Sequence, residues 1–364
     1  MSTLFGGGAA AASTAASQTQ GDTSKDVPVK DPPEDSVSSL AFSPVAEHLA
    51  VASWEKKVRI YEISPQGQSE GKAMIDFEAP VLSCAFSKDG TKVVGGGGDN
   101  AARMIDLAAN QTTSTTQVAA HDAPVSCVKM FNTNGNNMLV TGSYDKTIKY
   151  WDLRQQNPVG SIQCQDRVYT MDIMNEMLVL GTSDRYINIV NLRDPFKFYK
   201  TLQSPLKWQT RVVSCFTDAS GFAVGSVEGR CAIQYVEEKD SALNFSFKCH
   251  RNQDTTGNQR DVSRVFSVND ISFHPVHGTF STAGSDGTFH FWDKDAKHRL
   301  KGYPEVGGTI SATTFNRDGN IFAYAVSYDW SKGYAGNSPQ YPNKIMLHPV
   351  VGDECKPRPG GKKR

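Results

Sequence analysis

Along most of this chain, apolar and polar residues alternate with a period of two in short runs that turn-forming residues separate. The segment from His121 to Asp152 shows the unit most completely. An alternating run through Val125, Cys127 and Met130 leads into a Gly/Asn turn at Asn134 to Asn137 and a second run. The tight turn Ser143-Tyr144-Asp145-Lys146 follows, and a third run ends in Trp151-Asp152. Alternation places every second side chain on one face of an extended backbone, so the runs are predicted as antiparallel strands joined by hairpins.

The His…Trp-Asp frame around these runs is the signature of a WD repeat, which folds as one propeller blade. An acidic residue at the second hairpin turn marks each copy: Glu55, Asp99, Asp145, Asp184, Glu228, Asp286 and Asp329. Successive gaps are 44, 46, 39, 44, 58 and 43 residues, against a period of roughly 40–45 for a four-stranded blade. The spacing predicts an all-β, seven-bladed propeller. Only Trp151-Asp152 and Trp292-Asp293 keep the dipeptide, so periodicity carries the prediction. The one long gap coincides with the polar stretch Arg251 to Ser263, read as a surface loop.

The last repeat, ending in Lys344-Ile345-Met346-Leu347, has no fourth strand of its own. Val27 to Lys30 can supply it, pairing the two ends of the chain and removing an unpaired sheet edge. The predicted organisation is therefore a tail over residues 1–25, a propeller over 26–352 and a basic flexible tail over 353–364. The first tail is rich in Gly, Ala, Ser and Thr and is expected to be disordered, having too few apolar residues to offset the entropy of ordering.

Charge and cysteine content narrow the function. Lys+Arg and Asp+Glu both number 38, which excludes a polyanion binder acting through bulk charge. No apolar run is long enough to span a bilayer and the start lacks the features of a secretory signal, so a soluble intracellular protein is expected. Seven cysteines without a C-x-x-C pair support neither a disulfide framework nor a zinc site. Cys84, Cys127 and Cys215 occupy equivalent places on first strands and read as small core hydrophobes.

No set of residues argues for catalysis or for a metal or cofactor. His121, Ser143 and Asp145 are the residue types of a triad, but no nucleophile elbow or oxyanion loop accompanies them. In a blade, Trp151, Ser143, His121 and Asp145 are expected to converge as a buried hydrogen-bond chain. His274 and His277, three apart across a proline, lack a third ligand. The glycines from Gly95 to Gly98 lack the Gly-Lys-Ser/Thr ending of a phosphate loop and read as a site of close strand packing.

Function is thus expected on a surface, and the face of the second hairpin turns is the informative one. Trp54, Tyr144 and Tyr328 precede the turn acids at equivalent positions, and Trp330, Tyr334 and Tyr341 join them in the long last turn. They are candidate anchors for a partner. Cations fall among them, including Lys56, Lys146, Arg185, Arg230, Lys248, Arg251 and Lys332.

Several long stretches carry a resemblance. These are Gly221 to Arg230 (GFAVGSVEGR), Phe245 to Arg251 (FSFKCHR), Ser272 to Thr279 (SFHPVHGT), Gly284 to Gly287 (GSDG), Phe291 to Lys297 (FWDKDAK), Gly319 to Tyr324 (GNIFAY) and Ser327 to Gly333 (SYDWSKG). Together they resemble the WD-repeat mRNA export factors of the nuclear pore. A paralogous spindle-checkpoint WD family shares the Glu-Gly-Arg and Phe-Lys-Cys-His-Arg blocks. The Phe-Gly-containing start, the Asp-Trp-Ser-Lys-Gly turn and the basic tail favour the export factors.

The resemblance implies a non-enzymatic, monomeric scaffold in the nucleus, at the nuclear pore and envelope, with some cytoplasmic shuttling. It would hold a GLEBS segment, the short acidic hairpin-forming region of a Phe-Gly nucleoporin, and support export of messenger RNA. Arg230 matches the arginine that receives the segment's glutamates, and Phe247, Lys248 and Trp292 fall in family blocks near the same face. Two alternatives stay open: a checkpoint adaptor that binds a kinase-borne GLEBS segment, and a direct binder of single-stranded RNA or messenger ribonucleoprotein.

Overall fold

The computed structural model describes residues 20–109, 115–133, 135–253 and 262–358. Seven four-stranded antiparallel sheets account for almost all of its regular structure. We number them as blades 1 to 7 and letter their strands a to d. Blade 3 comprises Val125–Thr133, Asn136–Ser143, Thr147–Asp152 and Gly160–Gln163, paired in that order. Blades 1, 2, 4, 5 and 6 repeat this meander from Val37, Val81, Val168, Thr210 and Val268.

The a strands of all seven blades line a central channel of about 560 Å³. The start of each a strand pairs with the end of b, as in Val125↔Ser143 and Val168↔Thr182. The b–c turns and the links entering each blade therefore share one face.

A blade buries both surfaces only against neighbours, and the packing follows this requirement. Seven hydrophobic clusters fill the seven gaps between blades. Polar groups of the a strands stitch adjacent blades together. Ser126 Oγ donates to the Val168 carbonyl (2.6 Å), and Thr170 Oγ1 accepts the Val213 N–H (3.0 Å). The glycine run has its cause here, because a methyl group on Gly95 would collide with Val58 and Phe77, and one on Gly96 with Val125 and Val128. Cys84, Cys127 and Cys215 are buried in these gaps. Burial pushes the thiols of the first two up to about 11 and that of Cys215 well above its ordinary value.

Blade 7 is built from Ile310–Phe315, Ile321–Val326 and Lys344–Pro349, and its outer strand is Val27–Pro28 from the start of the chain. Val27 pairs with Leu347 and Pro28 with Met346, and the Val29 N–H reaches the Ile345 carbonyl at 2.8 Å.

Packing extends beyond the boundaries expected at 26 and 352. The Gly21 N–H donates to the Gly302 carbonyl at 2.8 Å. Cys355 is buried, and its carbonyl accepts the Thr279 hydroxyl at 2.7 Å. Short apolar and hydrogen-bonding contacts, invisible to periodicity, tie both ends down. The expectation of disorder for residues 1–19 lies outside the described residues. The polar stretch after His250 is not simply a loop: Arg251–Gln253 and Ser263–Val265 pair as a hairpin, and residues 254–261 lie outside the description.

Candidate functional site: the face of the second hairpin turns

In all seven b–c turns the residue after the acid adopts a left-handed backbone: Lys56, Asn100, Lys146, Arg185, Gly229, Gly287 and Trp330, with φ between 59° and 72°. In several blades the acid accepts the backbone N–H two residues on, as Asp145 does from Thr147 (2.9 Å) and Asp286 from Thr288 (3.1 Å). This closes the turn and leaves the next residue to take up positive φ. For Trp330 that conformation is strained, because a bulky side chain has no steric freedom there.

How each acid is neutralised differs from blade to blade. In blade 3, His121 Nδ1 donates to Asp145 (2.7 Å), Thr141 Oγ1 lies 2.7 Å from His121 Nε2, and Trp151 Nε1 donates to Thr141 (2.9 Å). The link is Thr141, not the expected Ser143. Strand pairing sets Thr141 opposite Lys149 within the strand, whereas Ser143, equally buried, is its last residue beside the turn. Its hydroxyl donates to the Ala123 carbonyl (3.0 Å) and accepts the Asp145 N–H (3.1 Å). Burial depresses the His121 pKa in spite of the Asp145 hydrogen bond, and the imidazole is neutral near pH 7. Both of its nitrogens are committed and its side chain is fully buried, so the group holds the turn in place rather than moving protons.

Blade 6 repeats this arrangement with His250, Asp286, Thr282 and Trp292. The distances are 2.8 Å from histidine to acid, 3.0 Å from histidine to threonine and 2.9 Å from Trp292 Nε1 to Thr282. Trp292 is thus spent largely on structure. Its half-buried ring packs on Phe247 at 4.5 Å between centroids. Sequence reasoning missed this second network, although its signal was present. Threonine, acid and tryptophan have the same spacing in Thr141-Asp145-Trp151 and Thr282-Asp286-Trp292, and only the histidine is displaced, by the inserted hairpin.

In blades 1, 2 and 5 arginines replace histidine. Arg59 grips Glu55 through Nε (2.5 Å) and Nη2 (2.8 Å), and Arg103 pairs with Asp99. In blade 5, Arg251 lies 3.8 Å from the Glu228 carboxylate and donates to the Glu228 carbonyl at 2.7 Å. Asp184 departs from the series. It is exposed and has no hydrogen-bond or ion partner among the described residues.

The candidate anchors are unequal. Tyr328, expected on the surface, is buried, because its hydroxyl reaches back to donate to the Gly333 carbonyl (2.7 Å) and accept the Lys332 N–H (3.2 Å) inside the long turn. Trp54 and Trp330 stack across the junction of blades 1 and 7 with centroids 3.7 Å apart, and both are partly buried. Tyr144 is 37% exposed and lies edge-on to Tyr169. Lys332 and Lys248 are exposed, and Tyr334 is 87% exposed.

Arg230 begins strand c of blade 5, with Lys248 opposite it on strand d. Its guanidinium donates to Ser246 Oγ at 3.2 Å and has no carboxylate partner among the described residues. The cations Lys146 and Arg185 are already engaged, with Asp166 (3.1 Å) and the Leu206 carbonyl (2.9 Å).

His274 and His277 are stacked, and the backbone N–H groups of Val276 and His277 point at His274 Nδ1. Burial lowers the His274 pKa to about 4. Among the described residues, no three His, Cys, Asp or Glu side chains are grouped to hold a metal, and no helix is long and apolar enough to cross a membrane.

A closed ring of seven four-stranded blades, with its buried polar networks held inside the blades, defines a WD-repeat propeller. The family model "WD domain, G-beta repeat" matches residues 28–62, 72–106, 112–152 and 261–293. The chain is 62% identical to "mRNA export factor GLE2" of Chaetomium thermophilum over 368 aligned residues, all of both chains. It is 57% identical to "Poly(A)+ RNA export protein" of Schizosaccharomyces pombe over 98% of each. It is also 45% identical to "Protein Rae1" of Drosophila melanogaster over 92% of this chain and 96% of that protein. The chain belongs to the WD-repeat mRNA export factor family.

Proposed function

We propose that this protein is a non-enzymatic adaptor in messenger-RNA export at the nuclear pore. On the face of its b–c turns it receives the acidic GLEBS hairpin of a Phe-Gly nucleoporin. The names of its relatives, which specify RNA export, support the process. The observation that carries the mechanism is Arg230. Arg59, Arg103 and Arg251 are each spent on the acid of a turn, whereas Arg230, a partly buried residue, presents a guanidinium with only a serine hydroxyl beside it. Such a group forks onto an incoming carboxylate at little reorganisation cost. The engagement of Lys146, Arg185 and Arg251 within the protein favours an acidic peptide over a polyanionic RNA tract as the primary ligand. Phe247, Lys248, Trp54, Tyr144, Trp330 and Lys332 would border the path of the segment.

Calorimetric titration with a GLEBS peptide tests this reading. Arg230→Glu should cost on the order of 2–5 kcal/mol in binding, the range for breaking an interfacial charge pair, while melting stays unchanged. Equal affinities of wild type and variant would refute the site. A steeper fall of affinity with salt for single-stranded RNA than for the peptide would separate the two ligands.

A further inference from the structure

Between the b–c turn of blade 4 and the link into blade 5 lies an open cleft of about 470 Å³, lined by Ser183 to Tyr186, Gln203 and Lys207 to Gln209. Its wall is Trp208, 62% exposed and without a ring contact to another aromatic among the described residues. The link is held firmly. Leu206 is buried, the Ser204 N–H donates to the Arg185 carbonyl (2.8 Å), and Arg185 Nη1 donates to the Leu206 carbonyl (2.9 Å). The indole is therefore held out into water by an ordered backbone, the arrangement of a preorganised anchor. The cleft is continuous with blade 5: the Val227 N–H donates to the Gln209 carbonyl at 3.1 Å, and Val227 is itself an exposed apolar residue two positions before Gly229. Along this strip the cations not engaged by a carboxylate or carbonyl among the described residues are Lys207, Arg230 and Lys248, while Arg185 is held by the Leu206 carbonyl. Asp184 is the one carboxylate of the cleft, and Glu228 already faces Arg251.

We infer that the Trp208 cleft is a second anchoring site, which takes an apolar side chain flanked by carboxylates from the same acidic segment that Arg230 receives. The inference rests on the adaptor reading above. The charge of the strip matches an acidic segment, and its apolar wall supplies the contact area that ion pairs at a wet surface lack.

The experiment is calorimetric titration of the full-length protein with a complete GLEBS peptide, comparing wild type, Arg230→Glu, Trp208→Ala, Trp208→Tyr and Lys207→Glu. Trp208→Ala should weaken binding roughly 30-fold, as removal of an aromatic anchor does. Trp208→Tyr should restore most of the affinity, Lys207→Glu should weaken it, and thermal melting should be the same for all. If wild type binds, Arg230→Glu fails to bind and Trp208→Ala binds like wild type, the second anchor is overturned and the adaptor reading stands. If wild type does not bind the peptide at all, both fall.

Discussion

In blade 3 the acid of the turn, its histidine, its threonine and its tryptophan are never more than 24 residues from their hydrogen-bond partners, so one stretch of chain completes its own network. Blade 7 is assembled from distant parts. Asp329 accepts hydrogen bonds from Asn269 and Ser285 of blade 6, and the outer strand and its Asp26 come from the other end of the chain. Asp26 bonds to His348, 322 residues away, and to the Tyr324 hydroxyl. The difference separates two ways of holding the same sheet. A local network costs little chain entropy and can form early, whereas a distant one forms only when the ring closes and pays the full closure cost at once. Blade 7 is the joint of the molecule, and its failure should open the whole ring.

The strongest test of this contrast is to remove the joint. A chain beginning at Gln20 keeps every described contact. A chain beginning at Asp35 loses the Val27–Leu347 pairing and buried Val29, and leaves His348 and Tyr324 without Asp26. An exposed sheet edge and two stranded polar groups should lower the melting temperature by roughly 10 °C or more. Equal melting of the two chains would show that blade 7 does not depend on closure.

The two regions should also respond to pH with opposite sign. Burial alone would lower the pKa of His348, but the hydrogen bonds to Asp26 (2.6 Å) and Glu354 (3.3 Å) outweigh it and raise the value to about 9. The folded joint thus binds its proton more tightly than the unfolded chain. Its contribution is complete below the ordinary histidine value of about 6.5 and is lost as pH rises through 9, amounting to about 3 kcal/mol. His121 in blade 3 has a lowered pKa, so its region weakens as pH falls below about 6.5 instead. Urea melts from pH 6 to pH 10 should show stability declining on the alkaline side, with His348→Asn flattening that limb. An alkaline decline identical in the variant would remove His348 from the joint.

The same contrast governs how much could be read beforehand. Seven turn acids at near-regular spacing specified the ring, and the missing last strand pointed to Val27, because a period survives any substitution that keeps alternation. The blade 3 network was legible except for Thr141, since Thr141 and Ser143 stand two apart on one surface of strand b, and choosing between them requires knowing how far along the strand the His121 ring reaches. Tyr328 was misplaced because the long turn folds its hydroxyl inward, which no spacing encodes. Asp26 with His348, and Cys355 with Thr279, join residues hundreds or tens of positions apart with no motif between them. Trp208 went unremarked because it lies in a link between blades rather than in a turn of the repeat.

The smallest effects distinguish the two hydroxyls of blade 3. Asp145 accepts from His121 Nδ1, so that nitrogen carries the proton and Nε2 is an acceptor. The Thr141 hydroxyl then donates to Nε2 and accepts the Trp151 N–H, and Thr141→Val leaves both of these buried groups unpaired. The expected cost is about 1–3 kcal/mol. Ser143, though itself buried, bonds only backbone groups at the end of the strand, the Ala123 carbonyl and the Asp145 N–H, which belong to partly buried residues. Ser143→Ala should therefore cost about 0.5–1 kcal/mol, the net worth of an ordinary hydrogen bond. Chemical denaturation of the two variants measures the difference directly. A serine variant less stable than the threonine variant would mean that the turn, and not the threonine relay, holds blade 3 together, and the distinction between a self-contained blade and a joined one would have to rest on blade 6 alone.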